Sequence, residues 1–214
     1  MSPLPSAPRP LRGALVSYRL PDTTPRVVVF QYNPATVTRS LEAQLADTEG
    51  KPGDAARYKG APVETIKLEV EIDAADQLEP ATGDAGILPQ LAALEILLYP
   101  SSDRILLNNA LLASGTLEIL PAAAPLVLLV WGRQRILPVR ITEFGVTEDA
   151  HHPDLTPVRA KVSLGLRVVS YSDVTSSNPA WPLFLAHQQL KESLAALATT
   201  NSLAAALGSD TRLV

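Results

Sequence analysis

Apolar and polar residues alternate most clearly between residues 158 and 168. Valine, alanine and leucine occupy every second position there. Four of the positions between them hold Arg159, Lys161, Ser163 and Arg167. A period of two residues predicts a strand with one buried face and one polar face.

Two more strands are predicted directly before it. Residues 126–131 are apolar throughout, which is typical of a strand with both faces covered, and residues 132–134 turn the chain. Alternation resumes at Leu137 and slips by one residue at Thr142 and Glu143, which predicts a β-bulge. Residues 148–154 then form a polar loop.

The N-terminal half predicts a series of shorter strands. A β-branched and aromatic run ends at Asn33-Pro34, because proline cannot continue a central ladder. Further on, apolar residues alternate with an outward charged set up to Asp73. A polar, glycine-containing stretch, residues 46–61, predicts a long loop that includes Lys51 and Lys59. The strands predicted outside the hairpin region are residues 13–20, 26–32, 36–45, 64–73 and 116–120.

Helical patterns occur in the middle and at the end of the chain. A helix begins at Asp84 or Gly86 and ends before Pro100, with proline tolerated in its first turn. Residues 101–114 fit either a second short helix or an insertion under the sheet. After a polar linker, two helical pieces follow, the second at residues 203–207. The predicted buried stripes are Ile87, Leu91, Leu94 and Leu98 in the first helix, and Leu183, Leu190, Leu194 and Leu197 in the last.

These elements predict a mainly β, α+β protein. Its strands form either two packed antiparallel sheets or a partly closed barrel, with a flanking helix and a helical C-terminal tail. Residues 1–12 are predicted to be a flexible proline-rich arm, residues 13–171 the β domain, and residues 172–214 a linker and helical extension. The change of period after Ser172 predicts that this extension is separable from the β domain.

Composition and charge exclude several classes of protein. A net charge of −4 gives no electrostatic basis for binding nucleic acid. Cysteine is absent, so neither disulfides nor thiolate chemistry is available. The proline-rich start does not read as a signal peptide, and the longest apolar run is about half of the ~20 residues that a spanning helix needs. We therefore expect no membrane insertion.

The sequence offers little catalytic chemistry. His151 and His152 are adjacent in a loop, where two side chains rarely point at one ion, and no ligands follow at zinc spacing. Asp73, Asp76 and Glu79 do not have the spacing of a calcium loop. No phosphate cradle or nucleophile–base pair stands out. We expect no enzyme activity, no metal and no cofactor.

Several motifs in order carry a family resemblance. The chain has a Val29–Pro34 segment closing on Asn-Pro, a strand ending at Trp131-Gly132, and a second strand with Pro138-Val139-Arg140-Ile141. An acidic loop and Pro157-Val158-Arg159-Ala160 follow. This arrangement, over residues 13–171, resembles the tube-family proteins of contractile injection systems, which are phage-tail-like particles. The LysM opening that many relatives carry after this region is missing.

The resemblance implies a fold of the tail-tube type and a structural role. It implies a hexameric ring at the tube–baseplate junction that connects the inner tube to the spike and contacts other baseplate proteins. It also implies assembly in the bacterial cytoplasm before the chain becomes part of the particle. Tube subunit and specialised adaptor both remain open, and the long loop and C-terminal helices favour the adaptor. A monomeric ligand- or glycan-binding β module is the alternative. The candidate interface residues are Arg159, Lys161, Ser163, Arg167, Lys51 and Lys59.

Overall fold

The structure is a computed structural model that describes residues 11–18, 24–46, 57–76, 85–115 and 124–198. Its strands are β1 (Ala14–Tyr18), β2 (Arg26–Val29), β3 (Val37–Glu42), β4 (Val63–Asp73), β5 (Leu126–Val130), β6 (Ile136–His151) and β7 (Pro157–Val168). Its α-helices are α1 (Leu88–Glu95), α2 (Ser102–Ala113) and α3 (Ala180–Ala198), and a short 3-10 helix spans Ala74–Asp76. The predicted strand at 116–120, the helical piece at 203–207 and most of the N-terminal arm lie outside the described residues.

These strands form one antiparallel sheet in the order β2-β1-β5-β6-β7-β4-β3. The sheet curls, because the Gln31 side chain after β2 bonds both backbone groups of Asp73 at the end of β4. The Gln31 amide nitrogen donates to the Asp73 carbonyl (2.7 Å), and the Asp73 N–H donates to Gln31 Oε1 (3.0 Å). The mainly β prediction is therefore confirmed in its open-barrel form, and two separate sheets are not found.

The inner face of the curled sheet forms the core. Long apolar side chains from β4, β5, β6 and β7 meet there, and the predicted alternation in β4 and β7 is confirmed. The β-bulge is also confirmed, since the β6–β7 register shifts between Ile141 and Glu143. The predicted loop at 148–154 begins too early, because β6 continues to His151 through two further register shifts.

Helix α1 packs against the core and contacts β2. Ile87, Leu91 and Leu94 are buried in the core as predicted, with Pro89 in the first turn. The prediction for Leu98 is wrong: Leu97 is buried instead and Leu98 is exposed. The α-helix ends at Glu95 and the chain continues in turns, so the helical spacing no longer applies at Leu98.

Helix α2 resolves the choice left open at 101–114. The segment is a helix, and none of its residues is buried, so an insertion under the sheet is wrong.

Helix α3 packs on the sheet, and the predicted leucine stripe is only partly right, since Leu183 and Leu190 are half-buried. Its buried positions are Ala180, Phe184 and His187, spaced by four and three residues, and Phe184 belongs to the core. Leu194 and Leu197 are exposed instead. Phe184 fills part of the core, and the separability of the extension stays a prediction.

Candidate assembly interface

The polar face of the sheet carries the residues predicted as an interface. On β7, Arg159, Ser163 and Arg167 are exposed and Lys161 is half-exposed. They lie opposite an outward acidic set on β4, since Glu71 pairs with Lys161 and Asp73 with Arg159 in the strand register. The alternation of both strands therefore brings opposite charges together on one face.

Each of the three basic residues has an acidic partner. Arg159 Nε donates to Asp73 Oδ2 (2.7 Å), and Arg167 Nη2 donates to Asp173 Oδ1 (2.9 Å). Lys161 Nζ lies 3.7 Å from Glu71 Oε1. Because of these pairs, the face carries both positive and negative charges, whereas β7 alone suggests a basic surface.

Local hydrogen bonds hold two of the acidic partners in their ionised form. The N–H of Ala75 and the guanidinium of Arg159 lower the pKa of Asp73. For Asp173, partial burial opposes ionisation, but bonds from the Ser170 N–H and O–H outweigh it and lower the pKa. Both carboxylates are thus fixed in position as well as charged.

A glycine lets one ion pair span three strands. Glu143 on β6 reaches Lys67 on β4, with 2.9 Å between Oε2 and Nζ. It crosses β7 at Gly165, where a Cβ atom would lie 2.7 Å from the Glu143 side chain. Together with Gly145 and Ser163, Gly165 leaves an open groove of about 520 Å³ on this face.

The long loop begins and ends as a paired ribbon. Leu45 bridges to Tyr58, and the Lys59 N–H donates to the Gln44 carbonyl (2.8 Å). The side chain of Lys59 is exposed, whereas Lys51 lies outside the described residues. The structure therefore extends the β3 edge by a ribbon that carries Lys59.

Two strand edges in this part of the sheet have no partner among the described strands. β5 pairs only with Ile136–Val139 of β6, so the rest of β6 has β7 on one side and no described strand on the other, while α3 also contacts β6. β3 is the last strand beyond β4, and its outer edge is also open. The edge of β2 differs, since α1 packs beside it and Gln31 links its end to β4. Open edges with unpaired N–H and C=O groups are ready to pair with another chain.

The motif residues of the N-terminal strands and of Trp131 meet at one end of the barrel. The Gly13 N–H donates to Asn33 Oδ1 (2.8 Å), and Asn33 Nδ2 donates to the Leu11 carbonyl (2.8 Å). A Cβ atom on Gly13 would lie 2.7 Å from the Trp131 ring and 2.8 Å from the Phe30 ring. Asn33, Trp131 and Phe30 thus fix the start of β1, which gives the Asn33-Pro34 and Trp131-Gly132 motifs of this chain a structural role.

Residues 15–174, the strands and the motif residues just described, match the family model of the contractile injection system tube protein. The chain belongs to this family. This tube protein is a structural component of a phage-tail-like particle, as the resemblance implied.

Other comparisons add less. No curated protein matches the chain. A solved structure described as "Tail of empty GTA particle computed with helical refinement, C6 symmetry" is similar at 11% identity, covering 73% of this chain and 90% of that one with a TM-score of 0.29.

The described residues offer neither a metal site nor a membrane-spanning helix. No group of three His, Cys, Asp or Glu side chains there is placed to hold a metal ion. His151 instead lies 2.9 Å from Glu148 through Nε2 and an Oε2 oxygen. No helix in the described ranges is both long and apolar enough to cross a membrane.

Sequence reasoning missed a buried charge cluster under α3. Glu64 is only 3% exposed and accepts hydrogen bonds from Arg39 Nε (2.8 Å) and Lys191 Nζ (3.0 Å). Burial opposes ionisation of Glu64, but the two cations outweigh it and lower its pKa. Glu64 and Ile66 are two residues apart and therefore share the inward face of β4. A carboxylate at a position predicted to be buried could have indicated this cluster from the sequence.

Proposed function

We propose that this tube protein forms a hexameric ring at the tube–baseplate junction and connects the inner tube to the spike. The ring closes when the open edge of β6 in one copy pairs with the open edge of β3 in the next. The contacts to the inner tube, the spike and other baseplate proteins lie on the two rims of this ring.

Strand direction is the observation that carries the ring. β6, β7, β4 and β3 are consecutive neighbours, and each pair is antiparallel. The first and last of these four strands therefore run in opposite directions. A cyclic ring joins β6 to β3 of the next copy as another antiparallel pair, which covers both edges without a parallel seam.

The polar face then lines the lumen of the ring. Its ion pairs, such as Arg159–Asp73 and Lys67–Glu143, balance positive and negative charge across neighbouring strands. A balanced, hydrated wall has no strong attraction for a passing molecule of either sign. The role of Arg159, Lys161, Ser163 and Arg167 is therefore that of a lumen surface, and that of Lys59 a rim contact.

The position at the junction follows from the appendages. Helix α3 and the ribbon after β3 extend the tube-type sheet, and a subunit that only stacks on identical rings has less use for them. To test this position, a peptide tag is placed at the chain's end and located on purified particles by electron microscopy. One labelled layer beside the spike supports the junction. Label along the whole tube indicates a general tube subunit, and particles without label contradict the function.

Ring closure is tested separately by proline substitutions on the open edge. Adjacent amides in a strand point to opposite sides, so only one of Thr147→Pro and Glu148→Pro removes an outward N–H of β6. We expect the outward variant to lose the hexamer in light scattering while its circular dichroism is retained. The other variant removes an N–H that faces β7, and it is expected to lower the stability of the chain itself because it breaks the β6–β7 ladder. Wild-type chain that stays monomeric at every concentration contradicts the ring and favours a monomeric binding module.

A further inference from the structure

Helix α2 exposes an unusual amount of apolar side chain. Every one of its residues is exposed except Asn108, which is half-exposed. Ile105, Leu106 and Leu107 are 49%, 66% and 52% exposed, and Leu111 and Leu112 are also open to solvent. Successive residues on a helix are about 100° apart, so three in a row cover most directions around the axis.

Such a helix is not stable alone in water. Isolated helices shorter than about 12–15 residues are marginal, and α2 has 12. A helix that is apolar on all sides is normally enclosed by other structure, and nothing described in this chain encloses α2. Its leucines therefore indicate a partner surface outside the single chain.

The attachment of α2 places it beside the sheet edge where the next copy arrives. The Ile87 N–H at the start of α1 donates to the Pro157 carbonyl (3.0 Å). α1 also borders a cavity of about 270 Å³ together with residues 27–31, which include most of β2, and with Val70 and Ile72 of β4. β3 pairs with β4 only as far as Leu68, and beyond it Gln31 bonds the Asp73 backbone, so α1 lies beside the part of β4 that β3 does not reach. Few residues separate α1 from α2, so α2 stays within reach of that side.

We propose that α2 docks on β6 of the adjacent copy in the ring, a step that rests on the edge pairing proposed above. Edge pairing brings the neighbour's β6 to the β3 side of this chain. That strand carries Phe144 and Val146 on its inward face, and both are only partly buried by the chain's own core. The contact buries two apolar surfaces that the single chain leaves partly exposed, one on each copy. It also joins the two copies beside their paired strand edges.

Engineered cysteines test the contact directly, because the natural chain has no cysteine. The full-length chain carries Val146→Cys together with Leu107→Cys or with Leu111→Cys, positions one turn apart on α2. Oxidation is expected to give a ladder of disulfide-linked species up to the hexamer on a non-reducing gel. The matched control pairs Leu107→Cys with Glu69→Cys, which lies on the polar face and is expected to give no ladder.

The outcomes separate this contact from the ring itself. A hexamer in light scattering without a ladder overturns the α2 contact and leaves the ring in place. A disulfide within one monomer also overturns it, because α2 then reaches its own β6. A wild-type chain that does not form a hexamer contradicts both proposals.

A charge substitution gives a second readout. Leu107→Glu is expected to weaken association of the full-length chain by at least about tenfold, as loss of a buried contact in an interface centre does. If Leu107→Glu leaves association of the chain unchanged, the contact between copies is overturned. This is also the result expected if α2 binds a different particle protein.

Discussion

Helices α2 and α3 have similar sequences but opposite relations to the sheet. Both are rich in leucine and alanine, and both follow a short connection from the preceding element. Yet α3 inserts Phe184 into the core, whereas α2 buries no residue. The difference shows that leucine content does not decide where these helices pack. The packing of α3 is decided by an aromatic side chain, Phe184, and by the ion pair with the buried Glu64.

The anchoring of α3 combines three contacts on one face of the helix. Phe184 packs edge-on against Tyr171, with 5.8 Å between ring centroids. One turn further, His187 is buried, and Lys191 reaches Glu64 on β4. Apolar burial gives the helix its affinity for the sheet, and the ion pair fixes its position along the sheet.

The largest expected effect comes from the aromatic anchor. Phe184→Ala removes a buried ring from the core and is expected to lower the free energy of unfolding by about 3 kcal/mol. The matched control is Leu197→Ala on the same helix, at a side chain that is 76% exposed, with an expected change of less than about 0.5 kcal/mol. Urea unfolding followed by circular dichroism measures both. Equal losses in the two variants would show that α3 is held by its leucines after all.

The periodic strands were predictable because their signal is local. Ile66, Val162 and Leu164 alternate with polar neighbours, and the sheet needs only that pattern to bury one face. Even the bulge at Thr142 and Glu143 is a local change of phase. The motif residues identified the family for the same reason, since their order along the chain is visible without the fold.

The anchors of α3 were not predictable in this way. Glu64 and Lys191 are 127 residues apart, and no local pattern connects them. The leucine stripe of α3 was right only in its first half, because Phe184 and Lys191 have specific partners whereas Leu194 and Leu197 have none in the core. The pairing of the basic residues on β7 was missed similarly, because it depends on β4 being the neighbouring strand.

A second prediction concerns acid, which acts on His187 of α3 and on its partner strand through Glu64. His187 is buried, and neither of its ring nitrogens has a hydrogen-bond partner among the described residues. Burial, and then the charge of Lys191, lower its pKa below the usual 6.5, while Glu64 acts in the opposite direction and Arg39 and Arg135 add to the lowering. The pKa of Glu64 is lowered from 4.5.

Both shifts have the same sign. For each group the unfolded chain binds a proton at a higher pH than the folded chain does, so stability falls as the pH falls. Loss from His187 begins below about pH 6.5, and loss from Glu64 follows below about pH 4.5. Urea unfolding at a series of pH values measures the curve. In His187→Gln the upper step is expected to disappear and the lower one to remain. The usual histidine pKa lies between about pH 7 and about pH 5. A curve that is flat over this range in the natural protein contradicts the prediction.

The smallest expected effect tests the other helix. Leu107→Glu in α2 is expected to change the free energy of unfolding of the dilute, monomeric chain by less than about 0.5 kcal/mol, because the side chain is already exposed and glutamate is a good helix former. Leu94→Glu in α1 is the contrasting variant, since it places a charge in the core. Thermal unfolding at low concentration measures both. A large loss in Leu107→Glu would mean that α2 packs on its own chain, and the contrast between the two helices would then fail together with the proposed contact to β6. A small change beside a strong loss of association assigns the leucines of α2 to assembly rather than to folding.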